Sequence, residues 1–395
     1  MNKIYIPPLP QHENSEILSI INNKGGIFFL EGRHRINMYK LMLGLHMRLT
    51  HNCNITLDKY YTARPRPITY GLTSHPSLNA FAYASPTEDF DFVGLNIGVY
   101  FTLRDTFSRL LSLPQFLKDI GDSNKEDASR AHIPYLVTDL INQARDRQGV
   151  VPLCPVRAIY AHYMLGAALD FLFFHEVTHL RFGHLDWLRQ REGASVLGEA
   201  IGETSSEGGL IRQALEMDAD AGAILYTLNK AYDVMREGVP RPPNLQAEQA
   251  LQEAYGSPEK VVRLIFSSVY ILFRLFDCKE WDPFNQHLFT HPQSPLRQHW
   301  IALTIAEIFK NNSYYAYDAD TALNDVAHLI SRSEFGIAAI LNDEPDFRGI
   351  QSVVGNSLST EHLQAVLDAW AGIRDELLPF VRGGNLAPAS GRLSS

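Results

Sequence analysis

The segment that most constrains this chain is FLFFHEVTHLRFGHLDW (171–187), where ionisable side chains interrupt an otherwise apolar helical run. His175 and His179 are four residues apart, so on a helix their imidazoles lie on one face, one turn from each other. Ala168 and Leu172 continue the same stripe, which turns both histidines inward. Burying two imidazoles and the carboxylate of Glu176 without partners is costly. The fold must therefore supply a complementary group there, and a metal ion is the readiest one. Neutral imidazole nitrogens suit zinc, and Glu176, next to the first histidine, is placed to take a proton from an activated water.

A catalytic zinc usually takes three protein ligands and keeps one position open. His184 follows His179 by five residues, about 140° around a continuous helix, which turns it away from the pair. The metzincin spacing is excluded, because Phe182 and Leu185 occupy the positions of its glycine and third histidine. The third ligand is expected in IRQALEMDADAGA (211–223), where Glu216 and Asp220 share a helix face. Ala219, Gly222 and Ala223 are small enough to let that helix approach the first closely. Glu216 then completes the ligand set with His175 and His179, and Asp220 holds a ligand histidine by its other ring nitrogen.

The rest of the sequence limits the alternatives. With 45% apolar residues and 20% charged, the 395-residue chain can bury a sizeable core. A net charge of −9 argues against general affinity for nucleic acid. The basic and aromatic stretch around Arg33, Arg35, Lys40 and Arg48, continued by KYYTARPRP (59–67), reads first as a solvated face. Cys53, Cys154 and Cys278 show no CxxC spacing and fit reduced thiols of a cytoplasmic protein. The start of the sequence lacks the apolar run of a signal peptide. The most apolar stretch, VVRLIFSSVYILFRLF (261–276), is interrupted by Arg263 and Arg274 and reads as a buried helix of a soluble protein. No GxSxG and no cysteine beside a base support a nucleophilic hydrolase.

Periodicity places helices near 37–49, 102–119, 135–147, 156–191, 210–232, 245–254, 259–277, 296–310, 319–332 and 360–381. Two short strands, NAFAYAS and DFVGLNIGVYF, flank the turn-rich PTED between Asn79 and Phe101. The fold class is α+β, mainly α, with a small antiparallel sheet and the HExxH helix packed on the ExxxD helix. The expected divisions are an N-terminal α/β extension (1–70), a core (71–310), a C-terminal helical region (311–382) closing at Gly383, and a disordered tail (383–395).

HEVTHLRFGH followed by EMDADAGA resembles the HExxHxxxxH…ExxxD signature of gluzincin metallopeptidases, specifically the family of HtpX and the CAAX prenyl peptidases. Two further segments fall in the same order. Asn79-Ala80-Phe81-Ala82 is similar to that family's NAFA, and Thr290-His291-Pro292 with Arg297 is similar to its THPxxxxR. The resemblance spans about 79–297 and implies a zincin-like core with the sheet edging a cleft. It implies a zinc-dependent endopeptidase in which His175, His179 and Glu216 bind Zn2+ and Glu176 is the general base. It implies that Asn79 and Ala80, on an edge strand, hold the backbone of a protein or peptide substrate. Arg297 or His291 supplies an oxyanion donor besides zinc, with Arg297 the family's first choice. The membrane-spanning helices of those relatives have no counterpart here, and residues 1–70 and 311–395 match nothing in the family. A peptide- or protein-binding module with a structural zinc site is the principal alternative, and a nucleic-acid-associated factor the second.

Overall fold

The computed structural model describes residues 14–28, 35–133, 149–193, 196–198, 206–238, 242–276, 282 and 284–389. The helix expected at 135–147, and Cys278, lie outside them. The described chain is mainly helical around one small sheet. Its elements are α1 (Ser15–Asn23), α2 (Arg35–Ile55), β1 (Ile68–Thr73), β2 (Ala80–Ala84), β3 (Asp91–Asn96) and α3 (Ile97–Leu111). They continue with α4 (Pro155–Arg181), α5 (His184–Glu192), β4 (Val196–Gly198), α6 (Ser206–Glu237), α7 (Leu245–Tyr255) and α8 (Pro258–Phe276). Three long helices follow, α9 (Ser294–Asn311), α10 (Ala319–Leu341) and α11 (Ser357–Leu377). Among the described residues, no helix is long and apolar enough to cross a membrane.

The sheet runs β1-β3-β2-β4. β2 is antiparallel to β3 and to β4, but β1 is parallel to β3, so the sheet is mixed rather than antiparallel. Alternation of apolar residues identifies strands; which strand inserts between which is set by long-range packing that alternation does not encode. The three long strands are buried throughout, because both faces are covered. Ala80, Ala82 and Ala84 of β2 face the main core, where their small size admits α4 closely. Phe81 and Tyr83 point the other way, into a second cluster with Ile17 and Ile21 of α1 and Phe92 of β3.

The expected boundaries at 70 and 310 do not separate cores. One hydrophobic cluster extends from Phe28 and Met42 through α4 and α8 to Trp370 and Leu386. Buried charge ties α2 into it. Arg48 and Lys230 approach Asp170 Oδ2 at 2.6 and 2.8 Å, and Asn52 donates to Asp170 Oδ1 at 2.9 Å. The tail also departs from expectation. Residues 383–389 are described and docked. Leu386 is buried, and the Ala387 carbonyl accepts from Arg374 Nε at 2.6 Å. Arg382 explains the anchoring: its guanidinium pairs with Asp91 at the start of β3 and with Asp186 of α5, at 2.6 and 2.8 Å.

Among the described residues, α4 and α6 form the most extensive helix pair, as the small residues of α6 foretold. Gly222 marks the closest approach: a Cβ there would stand 2.6 Å from Thr178 Oγ1 on α4. This contact brings the HExxH turn against the ExxxD turn.

Candidate metal centre

Helical spacing on α4 aims His175 and His179 at α6, and α6 answers with Glu216. The result is a buried convergence of three side chains. His175 Nε2 and His179 Nε2 are 3.1 Å apart, and the Glu216 carboxylate lies 3.2 Å from the first and 3.4 Å from the second. One donor atom from each residue lies within 4.8 Å of the others, and the group could hold a metal ion. All three side chains are at most 2% exposed.

Protonation states follow from the surroundings. Burial pushes the His179 imidazole down to about 4, so its ring is neutral near pH 7. Burial alone would raise Glu216, but the charge of His291 and hydrogen bonds from His175 and His179 outweigh it. They hold the Glu216 carboxyl well below its ordinary value, and it is ionised. Outside the cluster, His175 Nδ1 lies 2.9 Å from Asp220 Oδ1. A proton on Nδ1, shared with that carboxylate, leaves Nε2 a bare lone pair aimed into the cluster. Two imidazole nitrogens and a carboxylate converge in a buried space that could hold a cation. The residues fit a bound metal.

Asp220 carries a second partner. Arg297, on α9, donates from Nε and Nη2 to the Asp220 carboxylate at 2.8 and 2.7 Å, and its guanidinium lies 4.4 Å from the centre of the Phe273 ring. Asp220 thus stands between Arg297 and His175. His291 is the oxyanion candidate that reaches the ligand set. Its Nε2 is 3.3 Å from Glu216 Oε1, and its Nδ1 is 2.9 Å from Thr290 Oγ1. Glu176, 1% exposed, sits between His175 and Val177 on the same turn of α4.

Asn79 and Ala80 are held in the sheet and are not part of the cluster. The Asn79 carbonyl accepts from the Asn96 N–H at 3.1 Å, and Ala80 pairs with Leu95. The expectation that the whole run forms a free edge is narrowed by the sheet order. β4 pairs with β2 through Phe81, Ala82 and Tyr83, so that part of β2 is interior, and the described pairing with β4 stops short of Asn79 and Ala80. A three-residue strand after a glycine- and serine-rich loop is too short to register as periodicity.

The sequence reading also set His184 aside, and the structure brings it in. His184 Nδ1 lies 3.0 Å from His179 Nδ1, and its Nε2 lies 3.3 Å from Asp218 Oδ2. Gly183 explains the difference. With φ of +75° it ends α4 and starts α5, so the rotation expected along one continuous helix does not apply. A side chain there would also collide with Phe380, whose Cβ would be 2.3 Å away. A glycine directly before a histidine was the available signal.

A shallow space of about 180 Å³ lies beside the cluster, lined by Arg212, Leu215, Glu216, Thr290 and His291. Comparison of this chain with protein-family models, with curated proteins and with solved structures finds no match.

Proposed function

We propose that this protein is a zinc-dependent endopeptidase, with His175, His179 and Glu216 as the metal ligands. Two imidazoles and one carboxylate are a donor set that suits zinc and leaves a position for water. When bound, the metal supplies a Lewis acid that acidifies a water and polarises a peptide carbonyl. Glu176 accepts the proton of the attacking water on its carboxylate and delivers it to the departing peptide nitrogen. His291 Nε2, beside Glu216 Oε1, donates toward the oxygen on which negative charge develops. Arg297 acts one step back, holding Asp220 in place for His175. The observation that carries this reading is the buried His175–His179–Glu216 convergence with Glu176 in the same helical turn.

The alternative, a protein-binding module whose metal does not turn over, draws on the burial of the same groups. His291 is 5% exposed and the four α4 and α6 residues less, so an extended peptide does not reach them as the structure stands. Under the peptidase reading, a covering segment moves before substrate enters. Cleavage of a peptide library by zinc-loaded protein, compared with Glu176→Gln, decides between them. The peptidase reading expects cleavage that Glu176→Gln abolishes while retaining zinc. Equal cleavage by both proteins, or none by either under denaturant-free and mildly destabilised conditions alike, rejects it.

A further inference from the structure

The two ligand histidines are supported differently. His175 meets a carboxylate directly, at Asp220. His179 meets another imidazole, and only beyond that a carboxylate, at Asp218. We propose that His184 and Asp218 form a two-step relay that fixes the tautomer and orientation of His179. This inference rests on reading the triad as a metal centre.

The hydrogen positions follow from one requirement. His179 presents Nε2 to the ligand cluster, so that nitrogen carries a bare lone pair and the ring proton sits on Nδ1. His179 Nδ1–H then donates to His184 Nδ1, 3.0 Å away. A bare Nδ1 on His184 puts its ring proton on Nε2, which lies 3.3 Å from Asp218 Oδ2. Both atoms are buried and neither has another hydrogen-bond partner among the described residues, so a small rotation of either side chain pairs them. With a metal held by the cluster, the reverse arrangement would place a proton on His179 Nε2, the nitrogen that has to offer its lone pair.

The surroundings hold the relay in place. His184 is fully buried and Asp218 is 7% exposed. Trp370 of α11 packs across the His184 ring, with centroids 6.3 Å apart. Gly183 supplies the left-handed turn that brings His184 back over His179. α6 contributes a third carboxylate to the same centre: Glu216 as ligand, Asp220 behind His175, and Asp218 behind His184. His184 and Asp218 are positioning residues, since neither reaches the ligand cluster itself.

The test reads tautomers and metal affinity separately. In zinc-loaded protein, long-range nitrogen–proton correlation of the imidazole rings is expected to show His179 protonated at Nδ1 and His184 at Nε2. A proton on His184 Nδ1 overturns the relay. Zinc affinity, measured by competition with a chromophoric chelator, is expected to fall about 10–100-fold in His184→Phe, which keeps the ring and loses the acceptor. His184→Asn retains an acceptor near His179 Nδ1 and is expected to recover most of that loss. If His184→Phe does not fold, the wild-type spectrum and His184→Asn against Asp218→Ala still decide, since Asp218→Ala should weaken zinc binding as well. Wild-type affinity in folded His184→Phe, beside the loss of zinc in His175→Ala, overturns the relay alone. Zinc binding that survives His175→Ala and Glu216→Ala overturns the metal reading instead, and with it any role for the relay at a metal.

Discussion

The two ends of α4 both bury charge, and they do so in opposite ways. At the first turn, Arg157 is fully buried, and its five N–H donors meet five backbone carbonyls. Those are Leu111, Leu113, Phe116, Leu117 and Ile120, all at 2.7–2.9 Å. Nothing more can bind there, because a guanidinium has no donor left to offer. Five turns later, His175, His179 and Glu216 converge on one another and could hold a metal ion. The first end is a closed structural joint that shapes the loop after α3. The second could take a cation. Along one helix, buried charge marks a candidate site where a ligand set converges, and burial alone marks nothing.

The largest effect is expected at the closed end. Arg157→Leu should destabilise the protein by about 3–5 kcal/mol, since it strips buried carbonyls of their partner. Denaturant unfolding of metal-free protein measures it. A loss below about 1 kcal/mol would mean that water satisfies the cage and that the two ends are less different than they look.

At the open end, the metal itself should carry stability. Zinc at a hundred times its dissociation constant is expected to raise unfolding free energy by about 2.7 kcal/mol in wild type and by nothing in Glu216→Ala.

Gly222→Ala probes the contact that joins the two helices. Its added Cβ would meet Thr178 Oγ1 at 2.6 Å, so a cost of about 1–3 kcal/mol and weaker zinc binding are expected together. Loss of stability with unchanged zinc affinity would uncouple the packing of α4 and α6 from the ligand geometry.

The smallest effect concerns His362 of α11, an ordinary half-buried imidazole whose Nε2 lies 2.8 Å from Gln213 Oε1. Burial, with the charge of His287, pushes it down to about 4. Between its unfolded value near 6.5 and that folded value, the unfolded chain takes a proton that the folded one refuses. Stability is therefore present above pH 6.5 and lost as pH falls toward 4. About 1 kcal/mol of that loss should disappear in His362→Gln, followed by melting temperature against pH. An unchanged pH profile would remove His362 as its cause.

How much of this was legible in the sequence depends on the range of the interaction. The periodicity of one helix set His175 and His179 on a face, and that of another set Glu216 and Asp220 on theirs. Ala219, Gly222 and Ala223 announced that the two could meet. The place of His184 was not legible from helical angle, because Gly183 ends the helix before it. The basic and aromatic run at 59–67 read as a solvated face, and Lys59, Thr62, Ala63, Arg64, Pro65 and Pro67 are exposed; its two tyrosines and Arg66 turn inward instead. Tyr60 stacks on Tyr226 with centroids 4.2 Å apart, and Tyr61 donates to Asp91 Oδ2 at 2.8 Å. Arg66 donates to the Ser85 and Glu88 carbonyls at 2.7 Å. The docked tail depends on Arg382 meeting Asp91, 291 residues earlier in the chain. No local pattern encodes a partner that distant.

The most direct test of the central claim is X-ray absorption at the zinc edge on protein purified without added chelator. We expect about one zinc per chain, in a shell of nitrogen and oxygen donors with two imidazoles and no sulfur, and the loss of that signal in His179→Ala. Protein that folds normally but takes up no zinc, or zinc held by sulfur, would contradict a metal centre built from His175, His179 and Glu216.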